Sequence, residues 1–343
     1  MKHVCCAPLV LLLFVGCVQA EETPGVIVLK GHTLAVFSAS FSPDGKKVIT
    51  ASHDGFVRIW DADSGKELLT LEKHPGAPNS VAFSPDGKKI ITTHKNIARI
   101  WDADSDSAHF GKELKKLEGH TDRARFASYS PDGKKIVTAS HDTTVRIWDA
   151  DSGSANFGRE LQKLEGHTNW VFSALFSPDG KKIITAAQDS TARIWDADSG
   201  KELKVLEGQN NVIAFATFSP DGKKIVMTGD VLIPHIRDAN SGTVLVELKG
   251  HTNYVSSGSF SPDGKKIVTS GGDNTARIWD VDSGIELLKI EGHIALEGRV
   301  NEVRSDSFSP DGKKIVTGGD DATARIWDLE RYYPLPRSVI SDF

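Results

Sequence analysis

Apolar and polar positions alternate along most of this chain with a period of two. In VFSASFS (36–42) large and small side chains take turns, KKVITAS (46–52) is aliphatic and β-branched, and FVRIW (56–60) alternates again before KELLTLE (66–72). Residues i and i+2 share one face of a strand, so each run predicts a strand with one buried face. Between the runs, SPDG (42–45) and DADSG (61–65) read as turns, because proline fixes φ and glycine accepts a positive one. No helical period interrupts the pattern. The fold class is all-β, with four short antiparallel strands to a unit.

The unit repeats. SPDGKK begins at Ser42, Ser84, Ser130, Ser177, Ser219, Ser261 and Ser309, in steps of 42 to 48 residues. A period in the forties marks an array of stacked or radial modules rather than one irregular core.

Each unit resembles a WD40 repeat, with Gly31-His32 at its start, Ser52 and Asp54 in its middle and Trp60-Asp61 near its end; seven such units run in order from about residue 25 to 328. The resemblance implies a seven-bladed β-propeller of four-stranded antiparallel blades. The termini suit a ring. GVIVLKGH (25–32) matches the end of a unit, and the last unit stops after Trp327-Asp328. The N-terminal strand is therefore expected to complete blade 7 and remove the open sheet edges.

The resemblance also implies a buried hydrogen-bonded tetrad in each blade, built from the GH histidine, a Ser/Thr of the second strand, the following Asp and the third-strand Trp. His32, Ser52, Asp54, Trp60 and His120, Ser140, Asp142, Trp148 form complete sets. Blade 4 keeps His167, Asp189 and Trp195 but has Ala187 at the hydroxyl place. Blades 6 and 7 have Gly271 and Gly319 there and keep His251, Asp273, Trp279 and Asp321, Trp327. In blade 2, Lys95 replaces the Asp beside His74, Thr93 and Trp101. Blade 5, with TGDVLIPHIRDANSG (228–242), departs furthest: Gln209, Gly229, Val231 and Arg237 replace all four partners. Its Pro234 is expected to remove a ladder donor from an internal strand. A Ser/His/Asp set can suggest a hydrolase, but one that recurs blade after blade with its His inside a sheet is scaffold.

Residues 1–20, MKHVCCAPLVLLLFVGCVQA, carry Lys2, an apolar run from Ala7 to Val18 and a small-x-small end at Val18-Gln19-Ala20. That run is short for a membrane span and reads as a secretory signal peptide, so the protein is expected to be exported, periplasmic or secreted. LFVGC (13–17) resembles a lipobox and offers the alternative of a lipoprotein anchored through Cys17. The propeller then covers 21–330, and residues 331–343 form a C-terminal tail outside the repeat. Cys5, Cys6 and Cys17 all lie in the export segment, so no disulfide is expected in the folded part.

The composition is globular, 39% hydrophobic and 25% charged, and the net charge of −5 leaves no basic footprint for nucleic acid. Among twelve histidines, His53, His94 and His141 precede the tetrad Asp or its equivalent on consecutive blades. Their spacing around a ring is too wide for zinc, so they read as a polar, pH-responsive rim and no metal is expected. DADSG misplaces the glycine of a calcium loop and is a turn. No cofactor motif stands out.

Function is sought where the repeats differ. Three places after the GH position stand Ala35, Ala77, Arg123, Trp170, Val212 and Tyr254; five places after stand Phe37, Asn79, Arg125, Phe172, Ala214 and Ser256. The candidate partner-binding residues are Arg123, Arg125, His141, Trp170, Phe172, Gln188 and Tyr254, because aromatics and arginine anchor protein interfaces. Blade 7 adds IALEGR (294–299) to an upper loop, and blades 2 and 3 carry lower-face insertions DSAHFG and SANFG. The sequence supports a monomeric, non-catalytic scaffold for protein or peptide partners, with a central-channel small-ligand binder or enzyme as the alternative.

Overall fold

Each SPDG turn is tied by its own side chains. In the first, Ser42 Oγ donates to Asp44 Oδ1 (2.6 Å), the Lys46 amide donates to the same oxygen (3.0 Å), and Lys47 N–H donates to Ser42 Oγ (2.9 Å). Gly45 closes the turn at φ 71°, a conformation in which a Cβ would be strained. In DADSG, Asp61 Oδ1 accepts from both the amide and the hydroxyl of Ser64. These turns reverse the chain and set the strand register, since turn geometry and length fix hairpin pairing.

The computed structural model describes residues 23–72, 74–208, 211–293 and 302–332. Among them lie 28 strands in four-stranded antiparallel sheets, as in a WD40 β-propeller, with the pair Gly229↔Val255 joining the sheets of units 5 and 6. Unit 1 runs through the strands Val36–Phe41, Lys47–Ser52, Val57–Asp61 and Glu67–Thr70. The strand Val26–Leu29 pairs with Ala324–Asp328, placing Val26 opposite Trp327 and Leu29 opposite Ala324.

The first strands of successive units (Val36–Phe41, Ser80–Phe83, Ala124–Tyr129, Val171–Phe176, Ile213–Phe218, Val255–Phe260, Val303–Phe308) contact one another in order, and the last contacts the first. The core lies between neighbouring sheets. Ile49, Ile59 and Leu71 of unit 1 pack on Val81, Ile90 and Trp101 of unit 2, and Leu29, Val316 and Ile326 pack on Val36, Val48 and Trp60. The second lysine of SPDGKK reaches the next unit's third-to-fourth turn: Lys135 meets Asp198 at 2.8 Å, and Lys314 meets Asp63 at 2.7 Å. Such exposed pairs cancel charge more than they stabilise.

Pro234 shortens the ladder, in keeping with the expectation. The third strand of unit 5 begins after it, at His235, and ends at Asp238, so the pair that Ala51 makes with Val57 in unit 1 has no counterpart between Thr228 and Pro234. The Pro234 carbonyl still accepts from the Leu248 amide (3.0 Å). After the last strand, the short helix Leu329–Tyr332 sets Tyr332 edge-on to Trp327 at 5.0 Å, so packing continues into the expected tail as far as residue 332. The expected signal peptide, Cys17, Gln209, the IALEGR insertion and residues 333–343 lie outside the described residues.

Candidate functional site

The buried tetrads use a different hydroxyl from the one expected. Trp60 Nε1–H donates to Thr50 Oγ1 (2.8 Å), which also meets His32 Nε2 (2.8 Å), while His32 Nδ1 meets Asp54 (3.0 Å). With Nδ1–H donating to the carboxylate, Nε2 is left to accept the threonine proton. Ser52 lies two residues on and donates to the Leu34 carbonyl; Ser140 does the same to the Asp122 carbonyl. Register is the reason. Thr50 and Ser52 both share the face of Val48, the partner of Trp60, but Thr50 is the nearer to Trp60, while Ser52 sits at the strand end against the turn.

Five units therefore hold a complete set, through Thr50, Thr138, Thr185, Thr269 and Thr317. In unit 4, Ala187 costs nothing, because Thr185 joins His167 (2.7 Å) to Trp195 (3.0 Å), with Asp189 on Nδ1 at 2.8 Å. Units 3, 6 and 7 repeat the arrangement around His120 and Trp148, His251 and Trp279, and His293 and Trp327. Burial opposes charge on Asp142 and Asp273, but the histidine, threonine and backbone donors hold both far below the usual carboxylate range.

Unit 2 keeps His74, Thr92 and Trp101 (3.0 and 2.9 Å), whereas Thr93 bonds Ser80 instead. Its second and third strands join through only Lys95 and Asn96, and His94 pairs with Ile97. This tight hairpin pulls His94 into the core at 1% exposure, 5.8 Å from the His74 ring, so it is no rim residue. His74 Nδ1 and both His94 nitrogens are buried without partners. Burial lowers both pKa values to about 4, helped for His74 by His94 and Arg99, and for His94 by Arg99 and Lys95. His53 stays exposed and His141 half-buried.

At the upper edge, six of the seven first strands carry a bulge. Pairing passes from Val36 to Ser38, Ala124 to Phe126, Val171 to Ser173, Ile213 to Phe215, Val255 to Ser257 and Val303 to Ser305. The skipped residues are Phe37, Arg125, Phe172, Ala214, Ser256 and Arg304. A bulge frees one residue from the ladder and re-aims its side chain. That freed place is Phe, Arg, Ala or Ser depending on the unit, while the SPDGKK turns do not vary.

The bulges gather most of the expected binding residues. Trp170, 43% exposed, stacks on His141 with centroids 4.3 Å apart and planes 4° from parallel, and Phe172 meets the same imidazole edge-on at 5.8 Å. Arg123 donates from Nε to Asn79 Oδ1 (2.8 Å). Burial first, then the charges of Arg125 and Arg123, lower the pKa of His141. Gln188 touches the group through its backbone, donating to the Trp170 carbonyl, with its own Oε1 buried and unpartnered. Tyr254 belongs elsewhere: burial and its hydrogen bond to Glu302 raise its pKa.

That second group, in unit 7, lies outside the residues that the sequence points to. Glu302 holds the Trp170 place, since its carbonyl accepts from the Asp320 amide as Trp170's does from Gln188; Arg304 holds the bulge. Arg304 binds Asp320 from Nε (2.6 Å) and Glu302 from Nη1 (2.6 Å) and lies over the Phe37 ring at 5.0 Å. The IALEGR insertion hides this equivalence when positions are counted forward from Gly292-His293. Counting back five from Ser309 finds Arg304, as counting back from Ser42 finds Phe37.

No cluster of three metal-ligating side chains occurs among the described residues. A cavity of about 290 Å³ at the opposite end of the first strands is lined by Ser42, Phe83, Pro262 and Phe308 among others, with no charged group.

The WD domain, G-beta repeat family model matches residues 25–61, 65–102, 111–149, 158–196, 242–280 and 284–328. The gap at 197–241 holds the divergent third strand of unit 5. Curated relatives match over single repeats: Enhancer of mRNA-decapping protein 4 of Mus musculus, 53% identical over 36 residues; Periodic tryptophan protein 2 of Saccharomyces cerevisiae, 42% over 45; and the Guanine nucleotide-binding protein subunit beta of the same yeast, 49% over 39. These segments are 10%, 13% and 11% of this chain and only 3%, 5% and 9% of the relatives. With six matched repeats over more than half its length and the tetrad geometry between His, Thr, Trp and Asp, the chain belongs to the WD40 repeat family.

Proposed function

We propose that the seven units close as a seven-bladed propeller and that its upper face binds a protein or peptide partner, without catalysis. Closure is supported by the pairing of Val26–Leu29 with Ala324–Asp328 and by the Lys314–Asp63 ion pair. The observation that carries the binding reading is the bulge position, where the side chain freed from the ladder varies among Phe, Arg, Ala and Ser while the turns at the other edge repeat. Trp170 adds an exposed aromatic that the fold does not require, the kind of residue that anchors interfaces. The segment 1–20 supports an exported location, and Cys17 a lipid anchor as its variant; mass spectrometry of the mature N-terminus separates the two. The face is tested by comparing crosslinked partners in the native envelope for wild type and the Arg123→Ala/Trp170→Ala double variant. Loss of specific partners supports the reading, and an unchanged partner set overturns it.

A further inference from the structure

Arg125 is the upper-edge arginine with no hydrogen bond or ion pair among the described residues. Arg123 is held by Asn79, and Arg304 by Asp320 and Glu302. The charges that act on Arg125 are largely of its own sign. Burial, Arg123 and Arg304 together bring its pKa down to about 10, and Glu302, which opposes them, is already committed to Arg304 and Tyr254. An arginine kept half-buried against two like charges raises the free energy of the free protein, and an anion lodged among them would remove that cost. The bulge supplies the reason it stands there, because Arg125 is the residue that the pairing of Ala124 with Ser140 and Phe126 with Ala139 leaves out.

The surroundings select among anions. The stacked pair His141 and Trp170, with Phe172 edge-on, builds an aromatic wall in the next unit, and Arg125 lies close enough to His141 for its charge to act on that ring. A small inorganic ion would leave that wall unused, and the net charge of −5 disfavours a polyanion such as nucleic acid. We infer that Arg125 receives a carboxylate of the bound peptide, next to an apolar residue that covers Trp170. A planar guanidinium matches a carboxylate through two parallel hydrogen bonds, which gives orientation as well as affinity. This deepens the upper-face reading and rests on it.

The test uses an array of short peptides of varied sequence, probed with the labelled, purified protein. Binders are resynthesised with Asp→Asn, with Glu→Gln and with amidated C-termini, which separates a side-chain carboxylate from a terminal one. Neutralising the recognised carboxylate is expected to weaken wild-type binding about tenfold or more. Arg125→Gln is expected to bind the charged and neutral forms within about twofold of each other. Arg125→Lys keeps a preference for the charged form, and Trp170→Ala weakens both forms alike. Relief of like-charge repulsion predicts that Arg125→Gln melts no lower than wild type, which also reports that it folds. If wild type binds peptides without regard to charge, or Arg125→Gln still discriminates, the carboxylate assignment fails while the upper-face reading stands. If no peptide binds, the carboxylate assignment falls, and the upper-face reading is decided by the crosslinked partner set.

Discussion

Units 2 and 5 both lack an intact tetrad, and they lack it in opposite ways. Unit 2 has lost one partner. His74, Thr92 and Trp101 remain, the aspartate is gone, and a second histidine, His94, has been drawn in beside the orphaned nitrogen. Unit 5 has lost everything together: Met227 stands at the threonine place and Arg237 at the tryptophan place, opposite Ile225. Met227 packs with Ile225 and Phe218 at 6% exposure. Removing both ends of a buried hydrogen bond is close to neutral, whereas removing one end strands the other at about 1–3 kcal/mol. The more altered unit is thus the more self-consistent one at this position. Arg237 remains its weak point, with Nε buried and unpartnered.

The largest effect that would sharpen this contrast comes from removing a single partner from an intact unit. Thr269→Val strands both His251 and Trp279, and thermal or denaturant unfolding should show a loss of about 2–6 kcal/mol. A loss below about 1 kcal/mol would mean that the tetrad is ornamental.

Acid comes next. The His74 and His94 values are lowered from 6.5 to about 4, so their contribution is present above the unfolded-state value and is lost as pH falls from 6.5 towards 4. Each histidine can account for about 3 kcal/mol across that window. Substituting His94→Ser, the residue that units 1 and 3 carry there, should flatten the unfolding free energy between pH 6.5 and 4. An equally steep profile in the variant would show that the pair does not set it.

Unit 5 is probed in reverse. Met227→Thr installs a hydroxyl with no tetrad to join, and should cost about 1–3 kcal/mol, while Met227→Leu should cost less than about 1.5 kcal/mol. If the threonine proves harmless, the slot is not a packed apolar site. The smallest change in stability belongs to Trp170→Ala, in a unit whose tetrad is whole. Loss of the His141 stack should cost about 0.5–1.5 kcal/mol, yet it should have the larger consequence for partner binding.

The strands and turns were legible because alternation and the SPDG and DADSG turns act locally and agree with each other. The site was legible only in part. Ser52 and Thr50 lie two residues apart, and the repeats distinguish them: threonine stands at 50, 92, 138, 185, 269 and 317, while the Ser52 place reads Ser, His, Ser, Ala, Gly and Gly. The burial of His94 depends on a two-residue hairpin that composition does not announce. The bulges are a property of pairing between strands, invisible in either strand alone, so Arg125 could be noticed as different without any reason for where its guanidinium would stand. Arg304 and Asp320 are masked in the sequence because the IALEGR insertion shifts them relative to Gly292-His293.

The pairing of Val26 with Trp327 also has a bearing on how the molecule is made. On the ribosome this strand emerges long before its partner, so it must wait with its backbone donors and acceptors open while six sheets form behind it. An unpaired strand edge is an invitation to other chains. VIVL, four β-branched or aliphatic residues, is thus the sequence most in need of shielding before synthesis ends. Agents that hold unfolded chains should protect this strand best, and a variant truncated before residue 324 should aggregate through it.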